Sequence, residues 1–112
     1  MRHVMPIRGA VLDTIIAGTK TLIICVGFDW IREVHLADEL RLIGDSREFL
    51  VRIVAVRHYE SFEAMLSVES SDQISPGRDS VWMLETLRKI HAQNEALGVY
   101  VMEISKPRKS SG

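Results

Sequence analysis

The chain has 112 residues, 46% hydrophobic and 26% charged, which is ordinary globular usage and enough for one hydrophobic core. Its 14 basic and 15 acidic side chains leave a formal net charge of -1, which argues against the bulk electrostatics of a dedicated duplex-binding protein while leaving room for a local basic groove. The longest apolar runs, such as Leu22–Gly27, are far short of the roughly 20 residues of a membrane span, and the single cysteine, Cys25, excludes an internal disulfide and a zinc site built on thiolates.

From Arg8 to Thr19, Val11, Leu12, Ile15 and Ile16 recur at one-, three- and four-residue spacings, which predicts a short amphipathic helix that Gly18 can end in a left-handed conformation. Lys20 to Val26 is a β-branched apolar run too short for a typical helix, and it reads as a strand buried on both faces in the interior of a barrel. A less regular stretch with Trp30, Ile31 and Val34 follows. Glu39–Ile43 and Glu48–His58 then read as two strands of a hairpin joined through Gly44-Asp45-Ser46. If the second strand is regular, Phe49, Val51, Ile53 and Ala55 share one face and Leu50, Arg52, Val54 and Val56 the other.

Ser61 is placed to cap a short helix through Leu66, and Val68 to Arg78 is polar with a turn at Ser75-Pro76-Gly77. Asp79 or Ser80 starts the longest helix, with Met83, Leu84, Leu87, Ile90 and His91 as its stripe and Gly98 as its expected end. Val99 to Ser105 reads as a closing strand. No repeat or linker interrupts the chain, so residues 1–105 are expected to form a single domain in the order β, α, several β, two α, β. Residues 106–112, which begin with Lys106-Pro107-Arg108-Lys109, are expected to be a flexible basic tail.

Four phrases fall in a fixed order along this plan: Ile15-Ile16-Ala17-Gly18-Thr19-Lys20-Thr21, Leu36-Ala37-Asp38-Glu39-Leu40, His58-Tyr59-Glu60-Ser61-Phe62-Glu63-Ala64-Met65-Leu66 and Gly98-Val99-Tyr100-Val101-Met102-Glu103-Ile104. They resemble, in turn, the helix and Gly-x-Lys-Thr motif, the Gly-Asp turn, the Tyr-x-Ser-Phe-Glu-Glu-Leu-Leu segment and the closing strand of the ASCH family. The match spans roughly residues 6 to 104. The resemblance implies an α+β fold, a small PUA-like mixed or antiparallel β-barrel flanked by about three helices, with a cleft beside Gly-x-Lys-Thr that receives RNA or a nucleoside. Family members include RNA-binding modules, ribonucleases and amidohydrolases of N4-acetylated cytidine, and fold membership does not select among them. Three positions depart from the pattern. Ile23 stands where the amide-hydrolysing branch resembles a Thr nucleophile, Cys25 where an Arg usually lies, and Ala37 where the turn has Gly. An isoleucine neither attacks nor donates a hydrogen bond, so that hydrolytic route is expected to be absent.

Lys20 sits just after a helix end at the mouth of an apolar strand, where a cation meets phosphate or has its pKa lowered by burial; a solvated lysine is the competing reading. Thr21 offers a hydroxyl beside it but is equally an ordinary strand residue. His58 and Tyr59 offer faces for a base, against a role for Tyr59 in covering the core edge, and Arg52 offers a cation whose stem is more simply buried with its head in water. Cys25 flanked by Ile24 and Val26 reads as apolar filler before it reads as a nucleophile paired with His58 or His91. Trp30 and Trp82 read as core covers before stacking platforms. The histidines show no ligand spacing, so neither metal nor other cofactor is expected. The leading expectation is a cytoplasmic RNA- or nucleotide-binding module whose ligand-binding set is Lys20, Thr21, Arg52, His58 and Tyr59. The alternatives are a hydrolase using Lys20 with Glu60, Glu63 or Glu69 nearby, and a protein-interaction domain that has lost the cleft chemistry.

Overall fold

The computed structural model of the chain describes residues 2–27, 34–91 and 93–109; Trp30, Ile31 and the tail beyond Lys109 lie outside them. Along the chain the elements are β1 (Arg2–Pro6), α1 (Gly9–Ile16), β2 (Leu22–Val26), β3 (Glu39–Gly44), β4 (Arg47–Tyr59), α2 (Phe62–Leu66), α3 (Ser71–Ile74), α4 (Ser80–Ile90), a 3₁₀ turn (Glu95–Leu97), β5 (Val99–Ile104) and β6 (Arg108–Lys109). The strands form one curled, mixed sheet in the order β1-β3-β4-β5-β2, with β6 added beside β4. β1 runs parallel to β3, and the other pairings are antiparallel. No pairing joins β1 to β2 among the described residues, so the sheet is an open half-barrel, and α1 is the segment that leads from β1 to β2 along the chain.

Local chemistry accounts for the boundaries. α1 stops where Gly18 takes φ +82°, a backbone conformation that costs glycine little. The β3–β4 hairpin turns through Asp45 and Ser46, both left-handed at φ 49° and 60°, the geometry whose twist matches that of paired strands. Ser61 Oγ accepts from Ala64 N–H at the start of α2, and Asp79 does the same for Trp82 N–H at the start of α4.

β4 is long enough to serve two neighbours in succession. Arg47 to Arg52 pair with β3, and Ile53 to Tyr59 pair with β5, with a register shift between Ile53 and Ala55. The extra residue, Val54, is exposed, and beyond it the side-chain alternation changes phase. Val56 therefore packs with Val51 and Ile53, in place of the Ala55 that regular alternation predicts. Opposite the bulge, Ala37 N–H donates to Ile53 O and Ile53 N–H to Asp38 O, so the turn before β3 is fastened to the point where β4 changes partner. Asp38, buried itself, accepts from His35 N–H and lies 3.0 Å from His3 Nε2 on β1. These hydrogen bonds, His35 first and His3 second, hold its carboxyl well below the usual range.

Two apolar clusters lie on opposite faces of the sheet. On the concave face Leu12 and Ile15 of α1 meet Ile23, Cys25, Leu40, Leu42, Val51, Ile53, Met102 and Ile104. On the other face Phe62, Met65, Ile74, Met83 and Leu87 from α2, α3 and α4 meet Leu22, Val26, Val99 and Val101. β2 is thus buried on both faces as expected, but it is an edge strand and not an interior one. The long helix does pack across the sheet. It ends at Ile90 and not near Gly98, because residues 95–97 turn back to place Glu95 against the free N–H of Phe62 at the start of α2. The polar stretch after Val68 contains the short α3, which the sequence pattern missed, and Arg108 and Lys109 pair with Leu50 and Phe49, so this part of the expected tail is held in the sheet.

Ala37 has φ +70°, so the position where the family pattern carries Gly keeps the left-handed backbone with a Cβ on it. That conformation costs an L-residue roughly 1–2 kcal/mol, partly offset by the greater chain entropy of glycine. Ala37→Gly is expected to stabilise the protein by about 0.5–1 kcal/mol, read as a higher urea midpoint with an unchanged slope.

Candidate functional site

Lys20 leaves the α1–β2 turn at the open end of the half-barrel, and its side chain folds inward. Its Nζ donates to Leu22 O at 2.7 Å and to Ile74 O at 2.5 Å, bridging the free edge of β2 and the last turn of α3. Beside it, Thr21 N–H donates to Gln73 O. No carboxylate contacts the ammonium among the described residues. Burial lowers its pKa to about 8, a tendency that nearby Cys25 partly opposes. An ammonium has three donors, and the two carbonyls occupy two of them.

Lys20 lies in a cleft of about 510 Å³ between the two ends of the sheet. One wall is Met5, Ile7, Arg8 and Val11 from β1 and α1; the other is Trp82, Thr86 and Ile90 of α4, with Ile74, Ser75 and Pro76 below. Ile23 and Ile24 of β2 form the floor. Among the described residues the lining contains no Asp or Glu, while Arg8 and Lys20 are cationic. His91 also lines the cleft, and burial lowers its pKa, which favours the uncharged imidazole. The Arg78 guanidinium sits 4.3 Å from the centre of the Trp82 ring, holding the indole at the cleft wall. The arrangement suits an anionic ligand with a flat or apolar body.

The expected ligand-binding set does not converge here. Lys20 lines the cleft and Thr21 is its neighbour, but Tyr59 belongs to an ionic network on the helix-covered face of the sheet. There Arg57 Nε and Nη2 donate to Glu69 at 2.5 and 2.8 Å, Arg57 Nη1 donates to Glu103 at 3.0 Å, and the Tyr59 hydroxyl donates to Glu69. The Arg57 hydrogen bonds hold the Glu69 carboxyl below its ordinary value. His58 is exposed and stacks on Tyr100, ring centres 4.7 Å apart. Arg52 is exposed on another part of β4, and its side chain makes no hydrogen bond with the described residues. The bulge does place Arg52 and Arg57 on one side of the strand, but Arg57 is consumed by its two carboxylates.

Cys25 is buried in the concave core, with burial pushing its thiol up to about 12, while His91 packs beside Phe62 in the other cluster. A catalytic Cys–His pair is therefore not assembled with His91, and no hydrogen bond links Cys25 to His58 among the described residues. The proposed carboxylates are also elsewhere: Glu69 is engaged by Arg57, Glu63 by Arg88, and Glu60 does not line the cleft. What sequence reasoning missed is the α4 wall. Trp82, Thr86 and Ile90 recur at i, i+4 and i+8, a second stripe beside the core stripe of Met83 and Leu87, and Ile90 is 67% exposed where a core role was expected.

Between pH 8 and 10.5 the unfolded chain holds a proton on Lys20 that the folded protein has released, so stability rises with pH across that window and the full burial cost applies below it. Lys20→Met is expected to flatten that rise, worth roughly 2–3 kcal/mol at most in wild type, when urea midpoints of the two proteins are compared from pH 7 to pH 10.5. Tyr59→Phe is expected to lower stability by about 1 kcal/mol through the lost hydrogen bond and to leave ligand affinity at the cleft unchanged in a titration.

No family model matches the chain, and no curated protein matches its sequence. Solved structures do share its fold. The crystal structure of hypothetical protein PH0355 is 23% identical with a TM-score of 0.84, covering 96% of this chain and 100% of that one. The solution structure of protein PF0455 from Pyrococcus furiosus is 22% identical with a TM-score of 0.77, covering 98% and 100% respectively. The whole described chain is therefore similar to a fold that recurs in solved proteins.

Proposed function

We propose that the chain is an RNA- or nucleotide-binding module of the ASCH type within the PUA-like folds, binding at the cleft between the ends of its half-barrel. The observation that carries this reading is Lys20: a mostly buried ammonium in an apolar cleft whose described lining contains no acidic residue. A buried cation without a counter-charge is costly, and a phosphate supplies the missing partner. Three features support the family reading. The Gly18-x-Lys20-Thr21 phrase sits at the cleft mouth, the left-handed backbone at Ala37 is the one a Gly-Asp turn uses, and Ser61 caps α2 within the Tyr-x-Ser-Phe phrase.

Binding fits the geometry better than hydrolysis. Lys20 hydrogen-bonds only to backbone carbonyls among the described residues, so no nucleophile or second acid–base group is held beside it. Thr14, the hydroxyl nearest in sequence among the lining residues, donates to Val11 O within its own helix. With one lysine and Arg8 facing a ligand, few phosphates are neutralised, and affinity is expected to fall modestly with salt.

The test is a chemical-shift titration with short single-stranded RNA and with nucleoside monophosphates, wild type against Lys20→Ala. Saturable shifts at Lys20, Ile24 and Trp82 that vanish in the variant are expected. Because Lys20 is mostly protonated at pH 7 and mostly neutral at pH 9, wild-type affinity should weaken by up to about tenfold between them. No shift at millimolar ligand would move the assignment to a protein-interaction domain.

A further inference from the structure

The edge of β2 away from β5 carries a polar group pair that no described residue uses. Ile104 N–H donates to Thr21 O and Gly27 N–H donates to Gly98 O, and the register between them pairs Ile23 with Met102 and Cys25 with Tyr100. In an antiparallel ladder the bonded residues alternate, so the Thr21 carbonyl, the backbone groups of Ile23 and Cys25 and the Gly27 N–H face β5, while those of Leu22, Ile24 and Val26 turn outward. The carbonyl of Leu22 is taken by Lys20 Nζ, which confirms the phase. The N–H and C=O of Ile24 have no partner among the described residues, although Ile24 is partly buried and forms the floor of an apolar cleft. A donor and an acceptor side by side in such surroundings are costly unless something occupies them.

Resting on the nucleotide-binding reading, we infer that Ile24 reads the base: its N–H and C=O pair with the adjacent acceptor and donor on the pairing edge of one unstacked nucleobase, while Lys20 holds that nucleotide's phosphate. An added peptide strand fits less well. It needs a row of outward groups, and here the row is broken at Leu22, whose carbonyl already accepts from Lys20, and walled on both sides by Val11 and Trp82. A planar ring needs one donor and one acceptor between apolar walls, and each nucleobase carries that pair on its pairing edge. Lys20 then supplies the charge complementary to phosphate.

The test uses the full chain, labelled with ¹⁵N, and the four nucleoside 5′-monophosphates. The tightest is compared with its counterpart methylated at the ring nitrogen of the pairing edge and with ribose 5-phosphate. The expected result is a downfield shift of the Ile24 amide proton on binding and at least about tenfold weaker binding of the methylated nucleotide. Ile24→Pro, which removes only an outward N–H at a sheet edge, should have the same effect on affinity if the variant keeps its dispersed spectrum. Equal affinity for the methylated and unmethylated nucleotides would overturn the base-reading role and leave nucleotide binding standing. Amide shifts at Leu22, Ile24 and Val26 together with an extended peptide, and none with nucleotides, would overturn both.

Discussion

A strand of 13 residues cannot be satisfied by neighbours of six residues unless it changes partner along its length, and β4 does so at one place. The bulge at Val54 lets its first half pair with β3 and its second half with β5, bending the sheet between them. The Ala37–Asp38 turn is hydrogen-bonded to Ile53 at that bend, and Ser105 N–H donates to Arg52 O beside it. Because the bend curls the sheet without closing it, β1 and β2 face each other across a gap, and that gap is the cleft. The candidate site is therefore a consequence of the half-barrel being open.

The cleft carries an electrostatic cost at Lys20. Among the described residues, Arg57 is paired with Glu69 and Glu103, and the buried Asp38 carboxylate accepts from the His35 amide and lies beside His3. Among the described residues Lys20 has only the dipoles of the Leu22 and Ile74 carbonyls, and burial lowers its pKa. Those same bonds fasten β2 to α3, so the lysine that is best placed to meet an anion also positions the α3 end of the cleft floor. A binding residue held by backbone acceptors costs little reorganisation when a ligand arrives.

The polar groups on the helix-covered face serve the fold. Arg57, Tyr59, Glu69 and Glu103 tie two strands to the segment between α2 and α3, and Glu95 satisfies an otherwise free N–H at the start of α2. Their aromatic and charged character resembles that of a binding surface when read along the chain, yet these groups are spent on one another.

Local order was legible from the sequence wherever the cause was local. The α1 helix and its stop at Gly18, the strand that ends at Val26, the Asp45-Ser46 hairpin, the Ser61 cap and the start of α4 all follow from spacing, turn chemistry and capping side chains. So did Lys20 as a cation at the mouth of an apolar strand. Tertiary structure decided the rest. Alternation along β4 cannot reveal a bulge, because an extra residue is recognised only by the partners it separates, and so Ala55 and Val56, which lie beyond it, are on faces opposite to those expected. Periodicity in α4 shows an apolar stripe but not which neighbour ends it, so its stop at Ile90 and the cleft-facing Trp82, Thr86 and Ile90 were hidden. Whether β2 is interior or edge, and hence whether the Ile24 backbone is consumed or free, depends on pairings with residues far along the chain, which a composition of isoleucine, cysteine and valine supports equally well in either place.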